Sequence, residues 1–209
     1  MCEIGTKWKQ SFYAEVEPIK LREPLAEFLG AINEGEEFIF TYADAVKLAG
    51  HSCPAVSGAY KITQKALAAL YGDAIPVRGE IVVRVLGGVE DGANGPISQV
   101  ISLITGAAPE TGFAGLGNRF VRKRQLVFDE SHAEPNTFVF TRTDNQKCVK
   151  VIYHPEKIPA DENMAVLFRK CIVGTATKKQ EEDFKKLWQD RIRIVLFEEV
   201  KGLFEVRLS

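Results

Sequence analysis

Residues 50–71 read GHSCPAVSGAYKITQKALAALY and carry the strongest helix signal in the chain. Proline is well tolerated in the first turn of a helix, so Pro54 marks the start, and Tyr71-Gly72 marks the end. The apolar residues between them recur at helical spacing, which predicts one buried face. We expect that face to belong to the core: Val56, Tyr60, Ile62, Ala66, Leu67 and Leu70.

The remaining chain predicts further elements on both sides of this helix. Upstream, the patterns predict a half-buried strand at residues 12–18, a helix from Pro24 to Ile32, a strand at 38–40, and a helix that Thr41 or Asp44 caps and Gly50 stops. Downstream, they predict strands at 78–86, 125–128 and 203–208, a hairpin at 137–143 and 147–153, and helices at 96–104, 163–172 and 177–195.

The order of these elements predicts the fold class. Strands and helices do not alternate strictly, which favours an α+β fold with an antiparallel or mixed sheet packed against helices. We find no internal repeat, low-complexity stretch or clear domain boundary in the sequence. The sequence therefore predicts one domain over residues 1–209.

Composition and charge exclude several classes of protein. Hydrophobic residues make up 45% of the 209 residues and charged residues 26%, which is ordinary for a soluble globular protein. A net charge of −1 gives no reason to expect nucleic acid or an anionic membrane as a partner. The sequence lacks an uninterrupted apolar run of about 18 residues and an apolar signal-peptide core. We expect a cytoplasmic protein.

Cysteine usage agrees with a reducing compartment. The four cysteines form no C-x-x-C pair, so a zinc-finger framework is not predicted. In the cytoplasm they are expected to be thiols, and Cys2, Cys148 and Cys171 are expected to behave as small hydrophobic residues. Cys53 differs because its neighbours are unusual for a core cysteine.

Cys53 and His51 are the candidate functional residues. If Pro54 is the first helical residue, Cys53 is the N-cap, and its sulfur faces the free amides of the first turn. The positive end of the helix dipole then favours the thiolate. His51 lies two residues earlier in non-helical chain, where residues i and i+2 point to the same side. An imidazole and a thiolate are then able to converge on one transition metal, with zinc first among the candidates.

Two other uses of this pair remain open. His51 is also suited to activate Cys53 as a catalytic nucleophile, although no third orienting group is visible. Alternatively, both residues only cap and pack. A structural zinc site needs four ligands, which these two residues do not supply.

A glycine-rich loop at residues 105–118 is a second candidate region. Its glycines permit positive φ angles and close approach of the backbone to a ligand. With Arg119 and Arg122 nearby, it is suited to hold a carboxylate or a phosphate. It matches no phosphate-loop fingerprint, and an ordinary mobile surface loop explains the composition equally well.

The sequence GHSCP at residues 50–54, followed by GAY at 58–60, resembles the signature of the FmdE-like family. That family takes its name from a protein of the formylmethanofuran dehydrogenase operon, and its motif reads roughly G-H-x-C-P-G-x-x-x-G-Y. Thr105-Gly106 and the loop after it resemble the family segment D-A-I-Q-x-x-T-G-C-T-x-G-K-G-N. The resemblance covers about residues 42–153 and leaves a helical extension at about 160–200.

This resemblance implies an α+β core that forms homodimers and a metal site at His51 and Cys53. It also points to Gln99, Thr105, Gly106 and Arg119 as residues that line a ligand pocket. The chain departs from the family here, because the family's Asp, Gln and second Cys fall on Gln99, Ser102 and Ala107. A metal would therefore need water, a small-molecule ligand or a second subunit to complete its coordination.

The expected function is binding of a transition metal or metallo-cofactor, in an accessory protein or a redox enzyme of anaerobic metabolism. A first alternative is haem binding with Cys53 or His51 as the axial ligand. A second alternative is an enzyme in which Cys53 is the nucleophile. A third is an assembly accessory protein that docks through residues 184–195. Whether the protein is an enzyme stays open from the sequence.

Overall fold

The computed structural model describes residues 5–208, and the fold is α+β, as predicted. Two short 3-10 turns, Ser11–Ala14 and Pro155–Lys157, accompany the helices and strands. The helices are α1 (Pro24–Phe28), α2 (Tyr42–Ala49), α3 (Pro54–Tyr71), α4 (Asn94–Thr105), α5 (Met164–Ile172) and α6 (Lys178–Phe197). The strands are β1 (Ile19–Leu21), β2 (Phe38–Phe40), β3 (Ile81–Val85), β4 (Leu126–Phe128), β5 (Thr137–Arg142), β6 (Cys148–Tyr153) and β7 (Phe204–Leu208).

The main sheet is mixed, with strand order β4-β3-β5-β6-β7. Strands β3 and β4 are parallel and the other neighbours are antiparallel, while β1 and β2 form a separate antiparallel pair. Side chains alternate across a strand, so one face of the main sheet is buried. Its buried side chains include Val83, Val85, Phe138, Phe140, Val149 and Val151.

Helix α3 lies on this buried face and contacts β5, β6 and β7, as well as α2, α4 and α6. Its predicted apolar face is buried throughout, from Val56 to Leu70. Gly58 permits the closest approach, because a Cβ atom there would lie 2.5 Å from Cε1 of Tyr153 on β6. The helix therefore sits at the centre of the molecule, and its first turn is held from several sides.

Two upstream predictions were wrong in detail. Residues 11–14 form a 3-10 turn rather than part of a strand, since Tyr13 turns into the core and donates a hydrogen bond to Gln189 on α6. Helix α1 ends at Phe28 rather than Ile32. Gly30 has a φ of 74°, and the amide of Ala31 bonds back to the carbonyl of Ala26, which closes the helix early.

The capping predictions are confirmed. The amide of Thr41 donates to the Asp44 carboxylate at 2.9 Å, so both predicted residues take part in the start of α2. At the start of α6, the Thr177 amide donates to the Gln180 side chain and the Gln180 amide donates to the Thr177 hydroxyl. The two bonds form a capping box. Within residues 5–208, no helix is long and apolar enough to cross a membrane.

Candidate metal and ligand site

The turn between α2 and α3 holds the predicted pair in a defined backbone geometry. Gly50 ends α2 with a φ of 72°, a left-handed conformation that favours glycine. Cys53 is extended, with φ −149° and ψ 169°, and is the N-cap residue of α3. Pro54 is the first helical residue, as the sequence predicts. His51 and Cys53 therefore flank Ser52 on one short segment before the helix.

His51 is exposed, and one of its ring nitrogens is already engaged. Its Nδ1 atom lies 2.9 Å from the carbonyl oxygen of Ala49. A carbonyl oxygen only accepts hydrogen bonds, so Nδ1 is the donor in this arrangement and Nε2 is the ring nitrogen that this bond does not use. Histidine ligands of metals are commonly oriented in this way, by donation from the other ring nitrogen to a carbonyl. The bond through Nδ1 thus orients the His51 ring and leaves Nε2 as its candidate ligand atom.

Cys53 is half-buried and is the N-cap residue, as predicted, and its side chain makes no capping hydrogen bond. The Cys53 carbonyl does accept from the Ser57 amide and hydroxyl, both at 3.0 Å. No hydrogen bond joins His51 to Cys53 in the part of the chain that the structure describes, so the base-activated nucleophile is not assembled in this conformation.

Three aromatic residues hold this turn by hydrogen bonds to its backbone and to the Ser52 side chain. The hydroxyls of Tyr42 and Ser52 share a hydrogen bond, and Nε1 of Trp188 donates to the Ser52 carbonyl at 2.9 Å. The Tyr153 hydroxyl donates to the Pro54 carbonyl at 3.0 Å. These bonds come from α2, α6 and β6, so the turn is positioned by residues that are distant in sequence.

The two phenols beneath the turn stay protonated at neutral pH. Burial raises the pKa of Tyr42 and of Tyr153 well above the ordinary value of a phenol. The hydrogen bond from Ser52 lowers the pKa of Tyr42 and the Arg191 cation lowers that of Tyr153, while Cys53 raises both. Cys53 therefore lies within electrostatic range of two neutral hydroxyl groups.

The second predicted region is built differently. The buried Thr105 hydroxyl donates to the Ile101 carbonyl at 2.8 Å and accepts from the Ala107 amide at 3.1 Å. Gly106 has a φ of 78° and ends α4. The Arg119 guanidinium lies over the rings of Phe28 and Phe120, at 5.3 and 4.6 Å from their centroids. Thr105, Gly106 and Arg119 therefore each already have a structural role in the fold.

Arg122, proposed from sequence as an anion-binding residue, is instead part of a buried ion-pair group. Its Nη2 atom donates to one oxygen of Glu23, and Arg78 donates to the other at 2.6 Å. Only 6% of Arg122 is exposed, and a Cβ atom on Gly79 would overlap its guanidinium. Burial lowers the pKa of Arg122, while the Glu23 carboxylate raises it. Its role as a ligand-binding residue is therefore not supported by the geometry.

Gln99 lines a cleft of about 540 Å³ beside α4. Two serines one helical turn apart, Ser98 and Ser102, line the same cleft, and Leu48 on α2 borders it. Only 4% of Ser98 is exposed, and its hydroxyl has no hydrogen-bond partner within residues 5–208. Ser98 was not predicted as a site residue, although the spacing of Ser98 and Ser102 is the sequence signal that marks this face of α4.

The possible ligand set for a metal is small. No group of three or more His, Cys, Asp or Glu residues suited to a metal occurs in the described chain. Over the same residues, His51 and Cys53 line none of five clefts of about 360 to 570 Å³. Haem binding stays a prediction, without a described cleft at either ligand. Cys148 and Cys171 are half-buried, and Cys2 lies outside the described residues.

Comparisons with known proteins do not extend this picture. No model of a known protein family matches the chain, and no curated protein matches it significantly.

Proposed function

We propose that the chain is an FmdE-like protein that binds a transition metal or metallo-cofactor through Nε2 of His51 and the thiolate of Cys53. One observation carries this proposal. Nδ1 of His51 is anchored to the Ala49 carbonyl, which leaves Nε2 available two residues from a cysteine whose thiol makes no hydrogen bond within the described residues. Both donor atoms are thus free on one short, well-held turn.

The donor set favours one kind of metal site over another. An imidazole and a thiolate suit zinc and other late first-row metals. Two donors do not form a closed structural zinc site, but they fit a metal that keeps open positions for other ligands. Water, a small-molecule ligand or a second copy of this chain would supply the remainder. A homodimer in the reducing cytoplasm fits this arrangement, because the exposed His51 side chain is accessible to a partner.

Metal analysis of the purified protein tests the proposal. We expect the wild-type chain to carry bound metal, and Cys53→Ser and His51→Ala to lower metal affinity by about tenfold or more. Cys171→Ser is the matched control, because Cys171 is also a half-buried free cysteine but lies on α5. Equal metal content in the wild type and the Cys53→Ser variant would reject the proposal.

A second candidate function is binding of a neutral small molecule in the α4 cleft. The lining of the cleft favours it, because a few polar residues, Ser98, Gln99 and Ser102, lie there among apolar side chains, as in many small-molecule sites. Thermal-shift measurements with neutral nucleobases test this function. Stabilisation that is lost in Gln99→Ala and Ser98→Ala supports it, and stabilisation that both variants retain contradicts it.

A further inference from the structure

A second groove lies between the start of α5 and the middle of α6, and we call it the α5–α6 groove. Its volume is about 380 Å³, which is at the small end of the range for ligand pockets. It is lined by Ala160, Asp161, Met164, Ala165, Phe168, Phe184, Trp188 and Arg191. Most of these side chains are apolar or aromatic, and the set includes one guanidinium, that of Arg191.

Three aromatic rings form a continuous wall of the groove. The centroids of Phe168 and Phe184 are 6.0 Å apart, and those of Phe184 and Trp188 are 5.7 Å apart. The indole of Trp188 is fixed, because its Nε1 atom donates to the carbonyl of Ser52. The wall is therefore partly preorganised, which reduces the entropic cost of binding a ligand.

Arg191 is the unusual residue in this groove. Its Nε atom is buried and has no hydrogen-bond partner within residues 5–208. No salt bridge of Arg191 occurs among the same residues, and the Asp161 carboxylate on the rim accepts from the Asn163 amide at 2.8 Å instead. The Arg191 cation also acts electrostatically on Tyr153, whose pKa it lowers although burial raises it overall. The rest of the Arg191 side chain is half-buried and lines the groove, so a guanidinium without a salt bridge is available there to an acceptor supplied from outside.

We propose that the α5–α6 groove binds a small monocarboxylate with an aromatic or aliphatic body. The Arg191 guanidinium holds the carboxylate, because its planar fork matches the two oxygens of a carboxyl group. The body of the ligand packs against Phe168, Phe184 and Trp188. This site is separate from His51 and Cys53 and does not depend on metal binding there.

Calorimetric titration of the full chain with phenylbutyrate and with phenylbutyramide tests this proposal. The two probes share a body and differ in charge. We expect the wild-type chain to bind phenylbutyrate about tenfold more tightly than the amide, since hydrogen bonds to charged groups are the stronger ones. Arg191→Gln removes this preference. Arg169→Gln is the matched control and keeps it, because Arg169 is exposed on α5 and does not line the groove.

Two further variants keep the result interpretable if Arg191→Gln folds poorly. Arg191→Lys keeps the charge without the planar fork and is expected to retain part of the preference. Phe168→Ala removes an exposed ring from the wall and is expected to weaken both probes equally. The proposal is overturned if the wild type binds neither probe, if it binds both equally, or if a folded Arg191→Gln variant still prefers the carboxylate.

Discussion

The turn at residues 50–54 leaves two donor atoms without partners. By contrast, the main polar groups of residues 105–124, the glycine-rich loop and the segment before β4, make contacts within the fold. In the turn, the ring of His51 is held through Nδ1 alone, and the thiol of Cys53 makes no hydrogen bond in the described chain. In the loop, the Thr105 hydroxyl both donates and accepts, and Arg122 is bonded to Glu23.

This difference separates two roles that have the same composition. Glycines beside cationic or nucleophilic residues occur in both regions, so composition alone does not distinguish them. What distinguishes them is whether each polar group is engaged or sealed inside the fold. Paired groups, together with the buried Nη1 atom of Arg122, which is unpaired within residues 5–208, belong to the fold, and accessible groups without partners remain available to a ligand. Substitutions in the loop are therefore expected to reduce stability, and substitutions of the donors in the turn are expected to reduce binding.

Glu23→Ala is expected to have the largest effect. It removes the carboxylate that pairs with Arg78 and Arg122 and leaves buried positive charge without compensation. Breaking a buried ion pair in this way costs about 3–5 kcal/mol of unfolding free energy. Urea unfolding measures the loss. Glu110→Ala is the control, because its pair with Arg124 is exposed and such surface ion pairs contribute little to stability. Similar losses in the two variants would contradict the assignment of Glu23 as a structural residue.

Gly58→Ala tests how tightly α3 packs on the sheet. The added Cβ would lie 2.5 Å from Tyr153, so the variant is expected to lose about 1–3 kcal/mol through overpacking. Gly50→Ala tests the turn itself, where a Cβ meets no atom but the φ of 72° is left-handed. We expect a loss of about 1 kcal/mol there.

Thermal and urea unfolding compare the two glycine variants. If Gly50→Ala is less stable than Gly58→Ala, the packing argument for Gly58 is wrong.

The buried phenols beneath the turn predict a loss of stability at alkaline pH. Burial raises the pKa of Tyr42 and of Tyr153 in the folded protein. Such a group contributes fully below the unfolded pKa of about 10, and its contribution falls as the pH rises above that value. Each phenol then lowers the unfolding free energy by up to about 1.4 kcal/mol per pH unit. Urea unfolding at graded pH should show a shallower decline in Tyr42→Phe, and an unchanged slope would argue against this origin.

Trp188→Phe is expected to have the smallest effect on stability. It removes the hydrogen bond from Nε1 to the Ser52 carbonyl, which is worth about 1 kcal/mol. Trp8→Phe is the matched control, because the Trp8 indole donates no hydrogen bond within residues 5–208. Chemical unfolding of the two variants compares them. Equal stabilities would show that the bond to Ser52 does not help to hold the turn.

Local patterns predicted much of the fold. Helix α3 starts at Pro54 and ends at Tyr71, as its spacing indicates, and the hairpin of β5 and β6 follows its turn residues. Contacts between residues distant in sequence were harder to predict. Arg122 pairs with Glu23, which is 99 residues away, and no local pattern shows that pairing. The bonds from Trp188 and Tyr153 that hold the turn at Cys53 likewise come from residues about 100 or more positions away, so local patterns do not show them.

The central claim is that the turn binds a metal through His51 and Cys53, and a cobalt(II) titration followed by absorption tests it most directly. Coordination of a thiolate to cobalt produces a charge-transfer band in the near ultraviolet. We predict that this band appears in the wild type and in Cys171→Ser, is weakened in His51→Ala and is lost in Cys53→Ser. No band in the wild type, or an undiminished band in Cys53→Ser, would contradict the claim.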